Sequence, residues 1–309
     1  MYLGMNKMLE VSNITKKFGE VTAVDNLSFN VNKGEVLGIV GQNGAGKSTT
    51  FKMIMNFLKP DQGSITVNGH ELNEKVLDTI GFLPEERGLY LDMTIKQQVL
   101  YFAGLHGYDL KRASADLPLW MDALSVKGNE KTKIKNLSKG NQQKVQLITS
   151  LIHRPKLVIL DEPFSGLDPV NIELLVETVK KLKRNGTAVI FSSHNMKNVA
   201  EVSDKILMIV NGKPRLYGPI NEVREKFGKT KIYLEGVFDD LSIGELSGAL
   251  ESSDDYPGKI ITFDSEKHAK SAIMYACKFP SLQGYRLLPP TLDDIFRLVI
   301  KKEEKVSHG

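Results

Sequence analysis

The sequence has little of several features that would assign it to a special class of protein. Its single cysteine, Cys277, cannot form a disulfide within the chain, which fits a reducing compartment. No apolar run approaches the roughly 20 residues of a membrane-spanning helix, and residues 1–8 lack the apolar segment of a signal peptide. A net charge of only +4 does not indicate a polyanion-binding surface, so we expect no nucleic-acid partner. We therefore expect the chain in the cytosol, unless another protein holds it at a membrane.

The length and composition predict two globular domains. A chain of 309 residues exceeds the usual size of one domain, and its 41% hydrophobic content is enough to form a real core. Gly228-Lys229 marks the predicted boundary. The prediction is a first domain at 1–228 and a small accessory domain at 229–309.

The pattern of the first domain predicts an α/β fold. Residues 9–32 alternate in the manner of short strands, and apolar runs at 157–160, 187–191 and 206–210 predict buried strands. A mainly helical insertion spans about 92–153, opened by Thr94 and Gln97 as a capping box. Strands that alternate with helices predict a mainly parallel sheet covered on both faces. The short strands and the insertion would form an antiparallel β subdomain and a helical subdomain around it.

The last part of the chain predicts a small α+β domain without a site of its own. Thr291 with Asp294 predicts a capped final helix. The predicted strands are 230–235, 259–263 and 283–288, and the predicted helices are 242–250, 266–277 and 291–301.

A glycine-rich segment at Gly41–Thr49 carries the clearest chemical signal. It matches the phosphate-loop (Walker A) pattern G-x-x-x-x-G-K-[ST] between an apolar strand at 36–40 and a helix start. Glycines let backbone N–H groups approach a polyphosphate, Lys47 reaches the β- and γ-phosphates, and the Ser48 hydroxyl is placed to ligate Mg²⁺. The alternative is a simple turn between strand and helix. The predicted nucleotide-binding residues of the loop are Gly41, Asn43, Gly44, Ala45, Gly46, Lys47, Ser48 and Thr49.

Two carboxylates follow a second buried strand. Asp161 and Glu162 come directly after residues 157–160. Phosphoryl transfer to water needs a metal to neutralise charge and a base to orient the water. Asp161 suits the metal and Glu162 suits the base, although two solvated acids at a strand end are the alternative.

The order of several motifs resembles the ATP-binding-cassette (ABC) superfamily. LSKGNQ at 137–142 resembles its signature motif and precedes LDEP at 160–163. SGLD at 165–168 resembles the D-loop, and His194 the switch histidine. Because these motifs occur in order from residue 9 to about 217, the chain is identified as a member of the family.

The resemblance implies two such domains arranged head to tail, with ATP held between them. Ser138 and Gly140 would bind the γ-phosphate of the ATP on the partner's phosphate loop, and His194 would hold the γ-phosphate from its own subunit. Phe18 would stack on adenine with Val24 nearby. For Phe18 an ordinary core position is the alternative, and for His194 a hydrogen-bonded surface or core position.

Two segments depart from the pattern of the family. The signature has Lys139 and Asn141 at positions where glycine and glutamine are common, while the phosphate-facing Ser138 and Gly140 are kept. Glu85 stands where the family usually has the Q-loop glutamine. Its carboxylate could still face Mg²⁺, and a solvated loop acid is the alternative.

The first hypothesis is an ATP-binding and ATP-hydrolysing subunit of an ABC transporter. Residues 81–90, the signature and the C-terminal PTLDDIF at 290–296 are similar to bacterial ABC-2-type exporters, including sodium-extrusion ATPase subunits. The resemblance implies a peripheral position at the cytoplasmic face of a bacterial-type cell membrane. It also implies an integral-membrane permease and a second ATP-binding domain as partners. The alternatives are a soluble ABC ATPase that acts on nucleic acid or ribosomes, and a non-enzymatic nucleotide sensor.

Overall fold

A computed structural model describes residues 7–86, 88–236 and 246–307 of the chain. The chain folds into two compact units, Met1–Tyr217 and Gly218–Gly309. The sequence analysis placed the boundary later, after residue 228. A short helix at Ile220–Lys226, which the sequence analysis did not predict, lies between the two positions and falls in the second unit.

Strands and helices alternate along most of the chain, through both units. The strands are β1 (Lys7–Phe18), β2 (Val21–Asn32), β3 (Val36–Val40), β4 (Gln62–Val67), β5 (His70–Glu71), β6 (Ile80–Leu83), β7 (Leu157–Leu160), β8 (Ala188–Ser193), β9 (Lys205–Val210), β10 (Lys213–Pro219), β11 (Lys231–Gly236), β12 (Ala249–Asp255), β13 (Gly258–Phe263) and β14 (Leu282–Leu288). The helices are α1 (Lys47–Ile54), α2 (Glu74–Leu77), α3 (Ile95–Leu105), α4 (Leu110–Ala123), α5 (Lys139–Leu151), α6 (Pro169–Arg184), α7 (Met196–Val202), α8 (Ile220–Lys226), α9 (Glu266–Ala276) and α10 (Leu292–Ser307). Within the described ranges, no helix combines the length and the apolar character needed to span a membrane.

A six-stranded sheet forms the centre of the first unit. Its strand order is β10-β9-β3-β8-β7-β6, and the pairs from β9 to β6 are parallel. Strands β3, β7 and β8 are buried along their whole length, as expected of parallel strands covered on both faces. The predicted mainly parallel α/β sheet is confirmed.

A second, antiparallel sheet packs against this core. Its order is β2-β1-β4-β5, and its two long strands form a hairpin that joins Phe18 to Val21. Residues 9–32 are therefore two strands of 12 residues rather than several short ones. Apolar side chains of β1 and β2 share one buried cluster with β3, β8 and α1.

Helices α3, α4 and α5 form the predicted helical subdomain between β6 and β7. They contact one another, and α5 also contacts β6. Thr94 and Gln97 make the predicted capping box at the start of α3. Close packing is clearest at Gly81 of β6, where an added Cβ would collide with the carbonyl of Ser150 in α5.

The second unit has an antiparallel sheet in the order β12-β13-β11-β14. Helix α9 covers one face, with Ala269, Ala272 and Ala276 against a buried aliphatic and aromatic cluster. Strand β12 contradicts the end of the helix predicted at 242–250, and residues 242–245 of that prediction lie outside the described residues. The predicted capping of the last helix is present, since Asp294 N–H donates to Thr291 Oγ1. The antiparallel sheet and the helix α9 that covers it give the predicted α+β fold.

Candidate active site

The candidate site lies at the carboxyl edge of the parallel sheet. Strand β3 leads into Gly41, β7 into Asp161, β8 into His194, and β6 into the segment with Glu85. Neighbouring parallel strands end at the same edge, because Val40 is in register with Ser193. Ligands of open α/β sheets bind outside this edge. The fold thus brings residues far apart in sequence to one place.

Two glycines of the phosphate-binding loop (residues 41–49) are required by close approach of other backbone. An added Cβ on Gly41 would lie 2.5 Å from the Ile209 carbonyl oxygen. Gly46 has φ +105°, and a Cβ there would collide with the Ala23 carbonyl. Only glycine combines this φ with this contact. The loop is therefore held between β9 and the β2 strand of the hairpin.

Lys47 is buried and turned onto its own loop. Its Nζ donates to the carbonyl oxygens of Gly41, at 2.8 Å, and Gln42, at 3.2 Å. Helix α1 begins at Lys47, so free N–H groups and the positive end of the helix dipole lie at the loop. Ser48 follows in the first turn and is half-buried. An anion in the loop would thus meet backbone N–H groups and an ammonium group together.

The other predicted loop residues differ in exposure. Asn43 and Gly44 are exposed at the tip of the loop. Ala45 is buried, and its carbonyl accepts a hydrogen bond of 3.1 Å from Gly212 N–H. Thr49 is half-buried in α1. The tip is thus open to a ligand while its flanks are fixed to the core.

Ser192 links the two acidic residues. Its hydroxyl donates to Asp161 Oδ1 at 2.6 Å and accepts from Glu162 N–H at 2.7 Å. Glu162 has φ +47°, a left-handed conformation that is uncommon outside glycine and asparagine. Ser192 therefore fixes both the Asp161 carboxylate and the backbone that carries Glu162.

The Glu162 carboxylate lies between a histidine and a lysine. His194 Nδ1–H donates to its Oε2 at 2.9 Å, while Oε1 lies 3.9 Å from Lys47 Nζ. Oε1 is buried and has no hydrogen-bond partner in the described structure. A distance of 3.9 Å is too long for a hydrogen bond. Oε1 is thus a buried, unpartnered acceptor beside the Lys47 ammonium group of the phosphate-binding loop.

Phe18 and Val24 occupy different environments. Phe18 ends β1 and is 49% exposed, so its ring is not part of the core. Val24 is fully buried, and its Cγ2 would lie 3.3 Å from a Cβ on Gly46. Val24 thus supports Gly46 of the loop, and its place near adenine stays a prediction.

Ser138 and Gly140 lie at the start of α5, apart from this cluster. Ser138 is the N-cap of α5, and its Oγ accepts from Asn141 Nδ2 at 2.9 Å. Gly140 faces α6, with Asn171 Nδ2 3.4 Å from the position of a Cβ. No described hydrogen bond joins Ser138 to the phosphate-binding loop. The described hydrogen bonds of the Ser138 side chain are thus within its own helix, α5.

Asp168 of the segment similar to the D-loop caps α6. It accepts hydrogen bonds from Asn171 N–H at 3.0 Å and from Asn171 Nδ2 at 2.6 Å. The bond from the Asn171 backbone is the main cause that holds the pKa of Asp168 below its ordinary value. Asp168 is the N-cap of α6, and Pro169 is the first residue of that helix.

Glu85 lies just past β6 and is exposed. Its segment is tied to the site by Asp161 N–H, which donates to the Leu83 carbonyl at 2.8 Å. Gln146 of α5 donates to the carbonyls of Pro84, at 3.4 Å, and Glu86, at 3.3 Å. The Glu85 carboxylate thus lies at the same edge of the sheet as the other site residues, and no described contact fixes its position.

The donor groups fit Mg²⁺ shared with a nucleotide. In the described parts of the chain, no three His, Cys, Asp or Glu side chains are grouped to hold a metal. Mg²⁺ in phosphate sites takes one or two protein ligands together with phosphate oxygens and waters. The Ser48 hydroxyl and the Asp161 carboxylate, with Glu85 as a further candidate, supply oxygen donors of this kind.

Sequence reasoning missed Ser192 and Gln146 as residues of the site. Ser192 is a polar residue at the end of a buried parallel strand, the same signal that identified Asp161 on the neighbouring strand. Gln146 lies within a helix and carries no such signal. Its role depends on how α5 packs against the segment after β6.

Comparisons with known proteins agree with this geometry. The family model described as ABC transporter matches residues 24–165. YhaQ of Bacillus subtilis strain 168, described as an uncharacterized ABC transporter ATP-binding protein, is 38% identical over 94% of this chain and 97% of that protein. The linearmycin resistance ATP-binding protein LnrL of the same organism is 34% identical over 72% of each chain. A solved structure of an ATP-binding subunit of an ABC transporter is similar with a TM-score of 0.68 and 29% identity, covering 72% of this chain and 93% of that one.

Proposed function

The chain belongs to the family of ABC transporter ATP-binding proteins, and on that basis we propose that it hydrolyses ATP to drive a transporter. The observation that carries the proposal is the Glu162 carboxylate. One oxygen is oriented by His194, and the other is buried and free beside Lys47. Such a carboxylate can take a proton from the water that attacks the γ-phosphate.

The phosphate-binding loop holds the polyphosphate in this proposal. Lys47 Nζ exchanges its bonds to the Gly41 and Gln42 carbonyls for bonds to phosphate oxygens. The N–H groups of the loop and of the first turn of α1 bind the same anion. ATP binding thus replaces the two carbonyl partners of the buried Lys47 ammonium group with phosphate oxygens.

Ser48 and Asp161 would hold Mg²⁺ in this proposal, with Glu85 of the segment after β6 as a further oxygen donor. Bound Mg²⁺ supplies positive charge that neutralises the β- and γ-phosphate oxygens. Ser192 keeps the Asp161 carboxylate oriented before the ligand arrives. His194 holds the base through its bond to Glu162, and in this proposal it would also contact the γ-phosphate.

The complete site forms between two chains. Ser138 and the N-terminus of α5 offer a hydroxyl and free N–H groups to a γ-phosphate. Since no described hydrogen bond links Ser138 to the loop of its own chain, we assign this contact to a second ATP-binding domain. ATP would close the pair, and hydrolysis would reopen it.

A separate integral-membrane permease would use this motion, with the ATPase bound peripherally at the cytoplasmic face of the membrane. The relatives described above are named as transporter or resistance ATP-binding proteins, which supports a transporter over an ATPase that acts on nucleic acid or ribosomes. The name of LnrL supports export in particular.

Glu162→Gln tests the proposal. The substitution keeps the size of the side chain and removes the base, so we expect unchanged ATP affinity and phosphate release lower by about 100- to 10,000-fold. Steady-state phosphate release and equilibrium ATP binding measure the two quantities. We also expect the variant to remain dimeric in Mg-ATP.

Glu86→Gln is the matched control, since Glu86 is an exposed acid at the same edge of the sheet. Its activity should equal that of the unmodified chain. Full hydrolysis by Glu162→Gln would exclude Glu162 as the base.

A further inference from the structure

The ring of Phe18 is contacted by a lysine that is itself held in place. Lys16 Nζ lies over the ring, 5.9 Å from its centroid. The Lys16 side chain is only 16% exposed and pairs with Asp61 Oδ1 at 2.8 Å. The other carboxylate oxygen of Asp61 accepts from Lys17 N–H at 2.7 Å. Both oxygens of one carboxylate thus fix the end of β1 that carries Phe18.

This arrangement is local to the candidate site. Phe18 of β1 pairs with Val21 of β2 across the hairpin turn. Ala23, also on β2, has its carbonyl group directly against Gly46 of the phosphate-binding loop. The hairpin that carries the exposed Phe18 ring therefore also borders the phosphate-binding loop, where the polyphosphate of a nucleotide would bind. The ring is 49% exposed, so surface remains for a ligand while Lys16 contacts it.

We propose that Lys16 is a positioning residue for nucleotide binding, which holds the Phe18 ring so that a purine base stacks on its open side. The inference rests on the proposed function, ATP hydrolysis, and on the stacking of adenine on Phe18 that the family resemblance implies. A cation near an aromatic face is attracted by the ring quadrupole. A ring already held in one orientation loses less freedom when the base arrives, so the base binds more tightly.

The negative charge of the Asp61 carboxylate suits it as an anchor for Lys16. The hydrogen bond from Lys16 is the main cause that holds the pKa of the Asp61 carboxyl below its ordinary value. Asp61 N–H also donates to the Thr15 carbonyl at 2.8 Å, so its own backbone is tied to β1. Lys16 is therefore anchored at both ends, by its strand and by its ion pair.

The test compares ligands with and without a base. The affinities of the full chain for Mg-ADP and for inorganic pyrophosphate are measured by calorimetry, since neither ligand is turned over in the proposed reaction. Lys16→Met should weaken ADP binding about two- to five-fold and leave pyrophosphate binding unchanged. Lys16→Arg should keep the ADP affinity, because a guanidinium also stacks on an aromatic face.

Lys17→Met is the matched control. It removes the same charge from the adjacent residue, whose side chain has no described contact with the ring, and should leave both affinities unchanged. Equal weakening of ADP and pyrophosphate by Lys16→Met would mean that Lys16 acts only through its charge, and would overturn the proposal.

Phe18→Ala separates the remaining outcomes. If this variant weakens ADP binding and Lys16→Met does not, the ring binds the base without help from Lys16 and the inference is wrong. If Phe18→Ala has no effect, stacking on Phe18 is wrong and the inference falls with it. Failure of the unmodified chain to bind either ligand would instead contradict the proposed nucleotide site.

Discussion

Glu162 illustrates how a single residue is held in an unfavourable conformation at the candidate site. A non-glycine residue in the left-handed region costs about 1 to 3 kcal/mol, and such residues concentrate at functional sites. The hydrogen bond from Glu162 N–H to Ser192 stabilises this conformation. The direction of the carboxylate is therefore set by the backbone as well as by His194.

Two stacked histidines show the effect of burial on the pKa of an imidazole. His106 and His153 stack with ring centroids 3.9 Å apart, and His153 Nε2–H donates to the Ile80 carbonyl at 3.2 Å. Burial, with a smaller contribution from His106, lowers the pKa of His153 to about 4. Burial also lowers the pKa of His106, against the opposing charge of Asp78. Both rings are thus held neutral where the helical subdomain meets β6.

This pair predicts a loss of stability in acid. An unfolded histidine titrates near 6.5, so the unfolded chain binds more protons than the folded one between pH 6.5 and 4. The contribution of His153 is present above pH 6.5 and is lost as pH falls to about 4, a decrease of about 3 kcal/mol. His153→Gln keeps a donor for Ile80 and should reduce this decrease. Urea denaturation at pH 7 and pH 4 measures it, and equal decreases in both proteins would contradict the assignment.

At the scale of elements, the contact between β6 and α5 joins the helical subdomain to the sheet. Gly81 lies against the Ser150 carbonyl and the Pro155 ring, which leaves no room for a methyl group. Because β6 leads to Glu85 and α5 carries Gln146 and the signature residues, this contact couples two parts of the candidate site. The close packing depends on both elements, since the glycine belongs to β6 and the carbonyl that it contacts belongs to α5.

Gly81→Ala should therefore destabilise the protein by about 1 to 3 kcal/mol, as expected of overpacking against backbone. Gly104→Ala is the control within α3, where the nearest atom to an added Cβ is Leu110 Cδ2 at 3.6 Å. A helical alanine there should stabilise the protein by about 0.5 to 1 kcal/mol. Denaturant titration measures both free energies of unfolding, and a neutral Gly81→Ala would mean that α5 can move away from β6.

At the scale of the whole molecule, the proposed site requires two chains. Lys47 and Glu162 lie close together within one chain, whereas Ser138 has no described hydrogen bond to either. In the proposed dimer, residues of one composite site would come from both partners. The arrangement makes a prediction about mixtures of inactive variants.

Lys47→Ala and Ser138→Ala should each be nearly inactive alone, yet their mixture should regain activity. In a mixed dimer, the intact loop of one chain meets the intact signature of the other, so random pairing restores up to about one quarter of full activity. Phosphate release from the mixed and separate variants measures this.

A mixture of Lys47→Ala with Glu162→Gln is the control. Both residues serve the site of their own chain, so no mixed dimer contains an intact site and no activity should return. Restoration in neither mixture would contradict a shared site, because each chain would then need its own Ser138.

The sequence by itself determined the features that depend on local order. The phosphate-binding loop, Asp161-Glu162 after a buried strand, the capping box at Thr94 and the parallel sheet all follow from short stretches, because periodicity and spacing encode the type of each element. The order of these motifs predicted the family, and the comparisons with known proteins confirmed it.

Only the tertiary structure decided which residues meet across the site. Ser192 bonds to Asp161 31 positions away, and Lys16 is clamped by Asp61 45 positions away. The end of the helix predicted at 242–250 was wrong because residues 249–255 form a strand that pairs with β13, and a local pattern does not show this pairing. A periodic pattern shows which side of an element is apolar, but the neighbour of each polar group is fixed only when the elements pack together.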